Sequence, residues 1–456
     1  MMDKIKRRSA IATLGAVTFG MVSPALSKGE MLSEPFKLKK QKVETDILVI
    51  GGGTAGVIAA IQAGRAGRRT ILVENGSMLG GTTTTGGVAF PGIFFAWGRQ
   101  IISGIGWELV QEAVALNDDS LPEFSVPHGR QHWRHQVRVN GPLYAMLAEE
   151  KCSEAGVKMR FYETPVEVSF SRNKWTVITV GKGTRTEIIC NQLIDCTGNA
   201  YAAHLAGFNL LREAETQPGT LIFKIGGYDY TSLDMKMVTE RFNEAVQKGD
   251  LIKGEFYNVN SLLKNAGDNV QHVAGADSTT SETHTLANIK GRASLLRTVR
   301  FLRKLPGLEG LKVLDMQNET AVRESYRIDG EYKITHEDYI TGKMFDDAVS
   351  YSYYPIDLHD AHGVIPKQLE SGMVPTVSLR ALIPKNSKNF LVAGRCLSSD
   401  RLANSALRVQ ASCMGMGQAA AAAAVLANLQ GKTPLAVSIN DIRKLLEEHG
   451  AIVPKV

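Results

Sequence analysis

The sequence has no metal-ligating cysteine pattern, no internal repeat and no low-complexity linker. Its five cysteines, Cys152, Cys190, Cys196, Cys396 and Cys413, are scattered, with no CxxC and no Cys/His spacing suited to a metal ion. That excludes an iron–sulfur or haem centre built from its own thiols, and no metal site is expected. An odd count cannot pair completely, so these residues are expected as buried small hydrophobes. A basic nucleic-acid footprint is missing as well. The net charge is +6, and Lys4, Lys6, Arg7 and Arg8 against Asp3 place +3 of it in the first 27 residues, leaving +3 for the rest. No basic stripe with interleaved aromatics remains, so no nucleic acid is expected as partner.

What is present begins with a targeting pattern. After the basic start, Ser9 to Ser27 is uncharged and only moderately apolar, with Gly15 and Gly20 inside it. Ala25 and Ser27 fit the −3 and −1 positions of a small-residue cleavage site. The pair Arg7-Arg8 followed by Ala10-Ile11 reads as a twin-arginine signal, so residues 1–27 are expected to direct export of a folded protein to the periplasm or beyond. The stretch is too weakly apolar for a membrane span.

The next pattern is a βαβ unit. Asp46 to Ile50 (DILVI) is a continuous apolar run, as in a strand of a parallel sheet buried on both faces. Gly56 to Ala66 is small and apolar at helical spacing, and Thr70 to Val73 (TILV) is a second strand. Between strand and helix lies GxGxxG: Gly51 for the tight turn, Gly53 for close approach of backbone to a pyrophosphate, Gly56 for packing of helix on strand. The helix start offers N–H groups to phosphate. Glu74, at the end of the second strand, suits the ribose hydroxyls of an adenosine and disfavours an extra ribose phosphate.

Further on, Glu30 to Lys42 reads as an irregular lead-in and Gly141 to Ala155 as a helix. Val157 to Phe170 and Trp175 to Ile189 read as strands joined at Ser171-Arg172-Asn173, and Leu193 to Asp195 as a short strand. Between Gln217 and Pro384 the pattern turns to polar helices and mixed strands. Phe390 to Ala393 returns to the buried-strand pattern, Val409 to Leu429 is an Ala- and Gly-rich helix, and Ser438 to Glu448 a last amphipathic helix. The fold class is α/β, a Rossmann-like dinucleotide-binding domain with a mixed α+β cap. Its expected parts are 43–215 and 385–431 for the binding domain, 216–384 for the cap and 432–456 for a C-terminal helix and tail.

GGGTAG (Gly51 to Gly56), ENGSMLGGT (Glu74 to Thr82), IDCTGNA (Ile194 to Ala200), RESYRIDGEY (Arg323 to Tyr332), YPIDLHD (Tyr354 to Asp360), LVAGRCLSS (Leu391 to Ser399) and the segment Arg408 to Ala420 together resemble the FAD-dependent oxidoreductases of the glutathione-reductase-like superfamily, with a distant likeness to fumarate reductase flavoproteins. The resemblance spans roughly Thr45 to Gly431. It implies FAD rather than NAD, because Leu79 to Thr82 and Gly86 to Val88 put flexible backbone directly after the second strand, where such proteins run along the pyrophosphate toward the flavin. It implies cofactor contacts at Gly51, Gly53, Thr54, Ala55, Gly56, Glu74, Gly80, Gly81, Thr82, Gly87, Val88, Thr197, Gly198, Gly394, Arg395 and Gly415. The start of the last long helix, Val409 to Ser412, would point its positive end at the flavin. Two departures stand out. No histidine lies between Thr82 and Val88, so FAD is expected to be held non-covalently. The position after the late strand's glycine is Arg395 rather than an acid, which leaves Asp400 or backbone groups to hold the ribityl chain.

Substrate chemistry is expected where Arg323, Glu324, Arg327, Glu331, Asp357, His359 and Asp360 cluster. Histidine suits proton transfer near neutral pH, and arginine suits an anion. His359 and Arg327 lead, with Arg323 and Asp357 beside them; Arg323 and Arg327 would share a face if the stretch were helical. The group Arg130, His132, Arg134, His135 and Arg138 is either an anion site or a solvated face. The function expected is hydride transfer between a small alcohol- or amine-type substrate and FAD. The alternative is reduction of an unsaturated carboxylic acid. A separate electron-donor or electron-acceptor protein would complete either cycle. A binding protein with FAD as a structural element is a third class. No stable membrane span is expected, because the last long helix is mostly Ala and contains Gln418.

Overall fold

The computed structural model describes residues 37–127, 131–256, 258–360, 363–364 and 367–455, without the side chains of 360–366. The signal-peptide reading at residues 1–27 lies outside the described residues, as do Arg130 and the Asp360 side chain.

Strand β1 (Lys39–Ile50) starts with part-exposed alternation and ends in Ile47–Ile50, buried on both faces. Gly51 to Gly53 turn the chain into helix α1 (Thr54–Arg65), buried along nearly its whole length, and β2 (Thr70–Glu74) returns parallel to β1. Helix α2 (Gly141–Glu154) is started by the Asn140 side chain, which accepts from the Leu143 N–H. Then follow β3 (Lys158–Phe161), β4 (Thr164–Ser171), β5 (Lys174–Gly181) and β6 (Thr184–Asp195). The sheet order is β3-β2-β1-β6-β5-β4. The first four strands are parallel, and β4-β5-β6 form an antiparallel ribbon.

Downstream, β7 (Phe223–Gly226), β8 (Gly267–Asp268) and β9 (Lys312–Met316) make a small antiparallel sheet. Helix α3 (Ser281–Leu302) packs into the same hydrophobic cluster, which holds Phe223, Ile225, Val238, Phe242, Leu295 and Leu302. Ile334, Tyr339, Phe345, Val349, Tyr354 and Leu382 instead join the main core beneath α1, so the chain between 216 and 384 feeds two cores. Strand β10 (Phe390–Val392) pairs parallel with the far end of β6, at Leu193 to Asp195. Helix α4 (Gln410–Gln430) then crosses α1. It is long and apolar enough to span a membrane, but 78% of its most apolar stretch is buried inside the protein. At the crossing, a Cβ on Gly417 would lie 2.2 Å from the Ala55 carbonyl oxygen, so only glycine admits this contact.

Several sequence expectations shift. Lys39 to Lys42 are already strand, because they pair with Thr184 to Glu187. The run Val157 to Phe170 is two strands, broken where Tyr162 takes φ +59°. Trp175 to Ile189 is also two, turning at Gly183 (φ +76°), and Leu193 to Asp195 is the end of β6. The turn after Ser171 sits where expected: Arg172 (φ +50°) and Asn173 (φ +61°) both take the left-handed conformation of a tight hairpin. Arg323 to Tyr332 is extended rather than helical, with Arg327-Ile328 paired to Leu210-Leu211. All five cysteines are buried and unpaired.

Candidate functional site

A cavity of about 800 Å³ opens at the carboxyl ends of β1, β2 and β6, in the size range of cofactor sites, roughly 300–1,000 Å³. One wall is the glycine turn. Gly51 has φ +99°, and a Cβ there would lie 2.6 Å from the Cys196 carbonyl oxygen. A Cβ on Gly56 would sit 1.8 Å from the Gly51 oxygen. At Gly53 the nearest atom to an added Cβ is the Gly81 Cα at 3.9 Å. The protein therefore leaves room at Gly53, and the demand for glycine there comes from the cavity side. Gly53 caps α1 without any side-chain hydrogen bond, and the first turn carries no acid. The opening N–H groups of α1 thus meet the cavity as an uncapped positive end, the arrangement that holds a phosphate. Glu74 closes this wall. Its Oε2 accepts from the Gly52 N–H and its Oε1 from the Gly76 N–H, both at 2.6 Å. Burial raises its pKa.

A second wall joins three distant segments. The buried Asp195 carboxylate accepts from the Thr197 N–H (2.9 Å), the Thr197 hydroxyl (2.7 Å) and the Ala203 N–H (2.9 Å), which fixes the turn Cys196 to Asn199. Arg395 spends its donors on the protein: Gly198 O at 2.7 Å, Val322 O at 2.8 Å and Asn199 Oδ1 at 2.7 Å. It is a brace between chain segments that also faces the cavity. At the start of α4, Gln410 donates to Val88 O (2.8 Å) and accepts from the Thr83 hydroxyl, tying this helix end to the loop after Gly81. Val409, Gln410 and Cys413 line the cavity there.

The third wall carries the titratable groups Arg323, Tyr354, Asp357, His359 and Arg408. His359 Nε2 is 3.1 Å from Asp357 Oδ2, and His359 Nδ1 is 3.1 Å from Nε2 of His272, which stands behind the wall. Arg408 lies 3.6 Å from Asp357 Oδ2 and donates to Gln217 Oε1 and Asp357 O, each at 3.3 Å. Gln217 also takes the His359 backbone N–H (3.0 Å) and is itself held by Glu324. Burial pushes the Asp357 carboxyl up, but the hydrogen bond to His359 and the nearby charges of His359, Arg408 and Arg323 outweigh it and hold it at about 2. Burial, with the charge of Arg323, pulls His359 down to about 4 despite Asp357. Burial, then Arg323 and His359, pulls His272 down to about 3. At neutral pH the wall therefore presents a carboxylate beside uncharged imidazoles.

Of the residues expected from sequence, Gly51, Gly53, Thr54, Ala55, Glu74, Gly81, Thr82, Val88, Thr197, Gly198, Gly394, Arg395, Arg323, Asp357 and His359 line the cavity. Gly56 lies beneath it as packing. Gly80 donates its N–H to Gly52 O (2.8 Å), and Gly87 abuts Gln317. Gly415 lies against Ser350, away from the cavity, because the helix turns its Gly415 face toward the strand Ala348–Tyr351. Arg327 is not at the cavity either: its guanidinium is buried and paired with Glu213 at 2.7 Å, where the pairing of Arg327-Ile328 with Leu210-Leu211 places it. Asp400 caps the helix Arg401–Leu407 and does not line the cavity. In the basic group, His135 bonds Val126 O and Arg138 pairs with Asp268 at the surface. Sequence reasoning missed Arg408, Gln217 and His272. Only Arg408 left a signal, as the last charge before the uncharged stretch from Val409 to Gly431.

Comparison with known proteins agrees with this geometry. The family model described as FAD dependent oxidoreductase matches residues 46–446. Three curated relatives match over shorter stretches. Sarcosine oxidase subunit alpha of Rhizobium meliloti (strain 1021) is 46% identical over 57 residues, 12% of this chain and 6% of the relative. Nicotine dehydrogenase of Pseudomonas putida (strain DSM 28022 / S16) is 32% identical over 132 residues, 26% of this chain and 27% of the relative. Cinnamate reductase of Clostridium sporogenes is 30% identical over 110 residues, 23% of this chain and 16% of the relative. The matches thus span less than a third of each relative's length.

Proposed function

Since the chain belongs to the FAD-dependent oxidoreductase family and is an FAD enzyme, we propose that it transfers a hydride between a small alcohol- or amine-type substrate and non-covalently held FAD. The observation that carries this reading is the Asp357–His359 pair on the wall of the cavity whose other side is the Gly51–Gly56 turn and Glu74. Gly53 and the uncapped start of α1 would hold the pyrophosphate, and Glu74 the ribose. FAD supplies the two-electron acceptor. The substrate's O–H or N–H proton goes to the Asp357–His359 pair as the hydride leaves, and Arg323 and Arg408 orient the substrate. Two of the matched relatives are named for the amines sarcosine and nicotine, which agrees with an amine-type substrate. The absence of a histidine between Thr82 and Val88 supports non-covalent FAD. The electrons then pass to a further acceptor, for which oxygen, a quinone or a separate electron-carrying protein are the candidate classes.

The test is an anaerobic screen of alcohols and amines for bleaching of the bound flavin. Asp357→Asn and His359→Ala, with FAD content checked, are expected to slow bleaching by roughly 10²- to 10⁴-fold. If no alcohol or amine bleaches the flavin while an enoate reoxidises the reduced enzyme, the second reading replaces the first. That reading, reduction of an unsaturated carboxylic acid, is favoured by the two guanidinium groups of Arg323 and Arg408 on the cavity wall, which suit a carboxylate. We also propose twin-arginine export, on the strength of Arg7-Arg8 before a weakly apolar stretch. Replacing both with Lys should leave an FAD-loaded protein in the cytoplasm, and unchanged export would reject the route.

A further inference from the structure

His272 does not line the cavity, yet it is buried directly behind the residue expected to do proton chemistry. Its Nε2 lies 3.1 Å from His359 Nδ1, and on the opposite side of that ring Nε2 lies 3.1 Å from Asp357 Oδ2. A hydrogen bond needs one proton on each line, and with Asp357 ionised and His359 neutral this requirement fixes the tautomers. An ionised Asp357 can only accept, so a neutral His359 carries its proton on Nε2. Its Nδ1 is then a bare acceptor, and His272 must supply an Nε2–H. The chain therefore reads His272 Nε2–H to His359 Nδ1, and His359 Nε2–H to Asp357.

Resting on the hydride-transfer reading above, we propose that His272 is a positioning residue for that site: by filling the Nδ1 lone pair of His359 it makes the imidazole a pure donor, so that the acceptor offered to a substrate's O–H or N–H is the Asp357 carboxylate. Asp357 is suited to this. Its Oδ2 is taken by His359 and approached by Arg408, and its backbone N–H is held by the Ser405 hydroxyl, while its Oδ1 has no hydrogen bond among the described residues. Among the described residues, the charged and titratable groups acting on His359 are Asp357, His272, Arg323 and Arg408. The carboxylate stabilises the imidazolium, and both arginines oppose it. A donor aimed at Nδ1 also opposes protonation, because the charged ring has no lone pair there to receive it.

The experiment needs no substrate. Holoprotein with ¹⁵N-labelled histidine rings is observed by long-range ¹H–¹⁵N correlation, with His359→Gln and His272→Gln spectra assigning the two rings. At pH 7 both rings are expected to be neutral with the proton on Nε2. A proton on His359 Nδ1, or a charged His359, would overturn the proposal. His272→Gln keeps an amide N–H able to reach the same lone pair, so it should leave the His359 titration close to wild type. His272→Leu removes the donor and should move that titration upward by about one pH unit or more. If the Leu variant retains FAD and His359 titrates as in wild type, His272 is only packing. Because flavin bleaching is not the readout, failure of the hydride-transfer reading would appear in the substrate screen and leave the tautomer result standing.

Discussion

The glycine wall of the cavity and its titratable wall are made in different ways. The first comes from one continuous stretch, residues 50 to 88, and works mainly through backbone: a left-handed turn, an uncapped helix start, and a single carboxylate held by two N–H groups. The second works through side chains from Gln217, His272, Arg323, Asp357, His359 and Arg408, of which only Asp357 and His359 are near neighbours in sequence while the others lie tens of residues apart. A backbone device tolerates almost any neighbour but hardly any change of its own glycines. A side-chain network has the opposite sensitivity, since each member is held only by the others.

The sharpest break of that contrast is Gly56→Ala. Its Cβ would meet the Gly51 oxygen at 1.8 Å, with backbone on both sides of the clash. We expect destabilisation at or beyond the upper end of the usual overpacking cost of about 1–3 kcal/mol, read as loss of soluble folded protein or a large fall in the denaturation midpoint. A Gly56→Ala protein with wild-type stability would refute the packing role. Gly53→Val comes next. The structure leaves 3.9 Å to the nearest atom around a Cβ there, so the folded protein should persist while FAD is lost. Co-purifying stoichiometric FAD in this variant would mean that the pyrophosphate lies elsewhere.

The smallest effect concerns acidity at the titratable wall. His359 and His272 are held at about 4 and about 3 in the folded protein, below their ordinary 6.5. The unfolded chain therefore binds protons that the folded one refuses, and their contribution is present above pH 6.5 and lost as pH falls toward 4. The urea midpoint should drop between pH 7 and pH 5, and drop less in His359→Gln. Asp357 acts in a lower window, keeping its contribution above 3.8 and losing it as pH falls through about 2. An identical pH dependence in wild type and His359→Gln would contradict the burial argument.

The same contrast explains what could be read from sequence. Gly51, Gly53, Gly56 and Glu74 are legible because a tight strand-to-helix turn needs fixed residue types at fixed spacing, and the structure has the turn at Gly51, the close helix packing at Gly56 and the Glu74 carboxylate beside them. Asp357 and His359 were legible as types, and lie two residues apart. Their partners were not: Gln217 and His272 reach His359 only through tertiary packing, 142 and 87 residues away. Arg327 misled because its neighbourhood resembles that of Arg323, while β pairing with Leu210-Leu211 turns it toward Glu213. Gly415 misled because glycine in an Ala-rich helix signals close approach without saying to what; the approach to α1 belongs to Gly417.

That approach of Gly417 to Ala55 sets an order of events during synthesis. The turn Gly51 to Gly56 leaves the ribosome early, but the helix against which α1 is seated, Gln410–Gln430, is made much later, as is the strand Phe390–Val392 that flanks Leu193 to Asp195. Such distant pairings must close a long loop before their contacts reward it, and they form late. A nascent chain short of α4 has the glycine turn without its support, so cofactor capture would wait until α4 has been made. If residues 1–27 direct export of the folded protein, as proposed above, a bound flavin would then mark the molecules ready to leave.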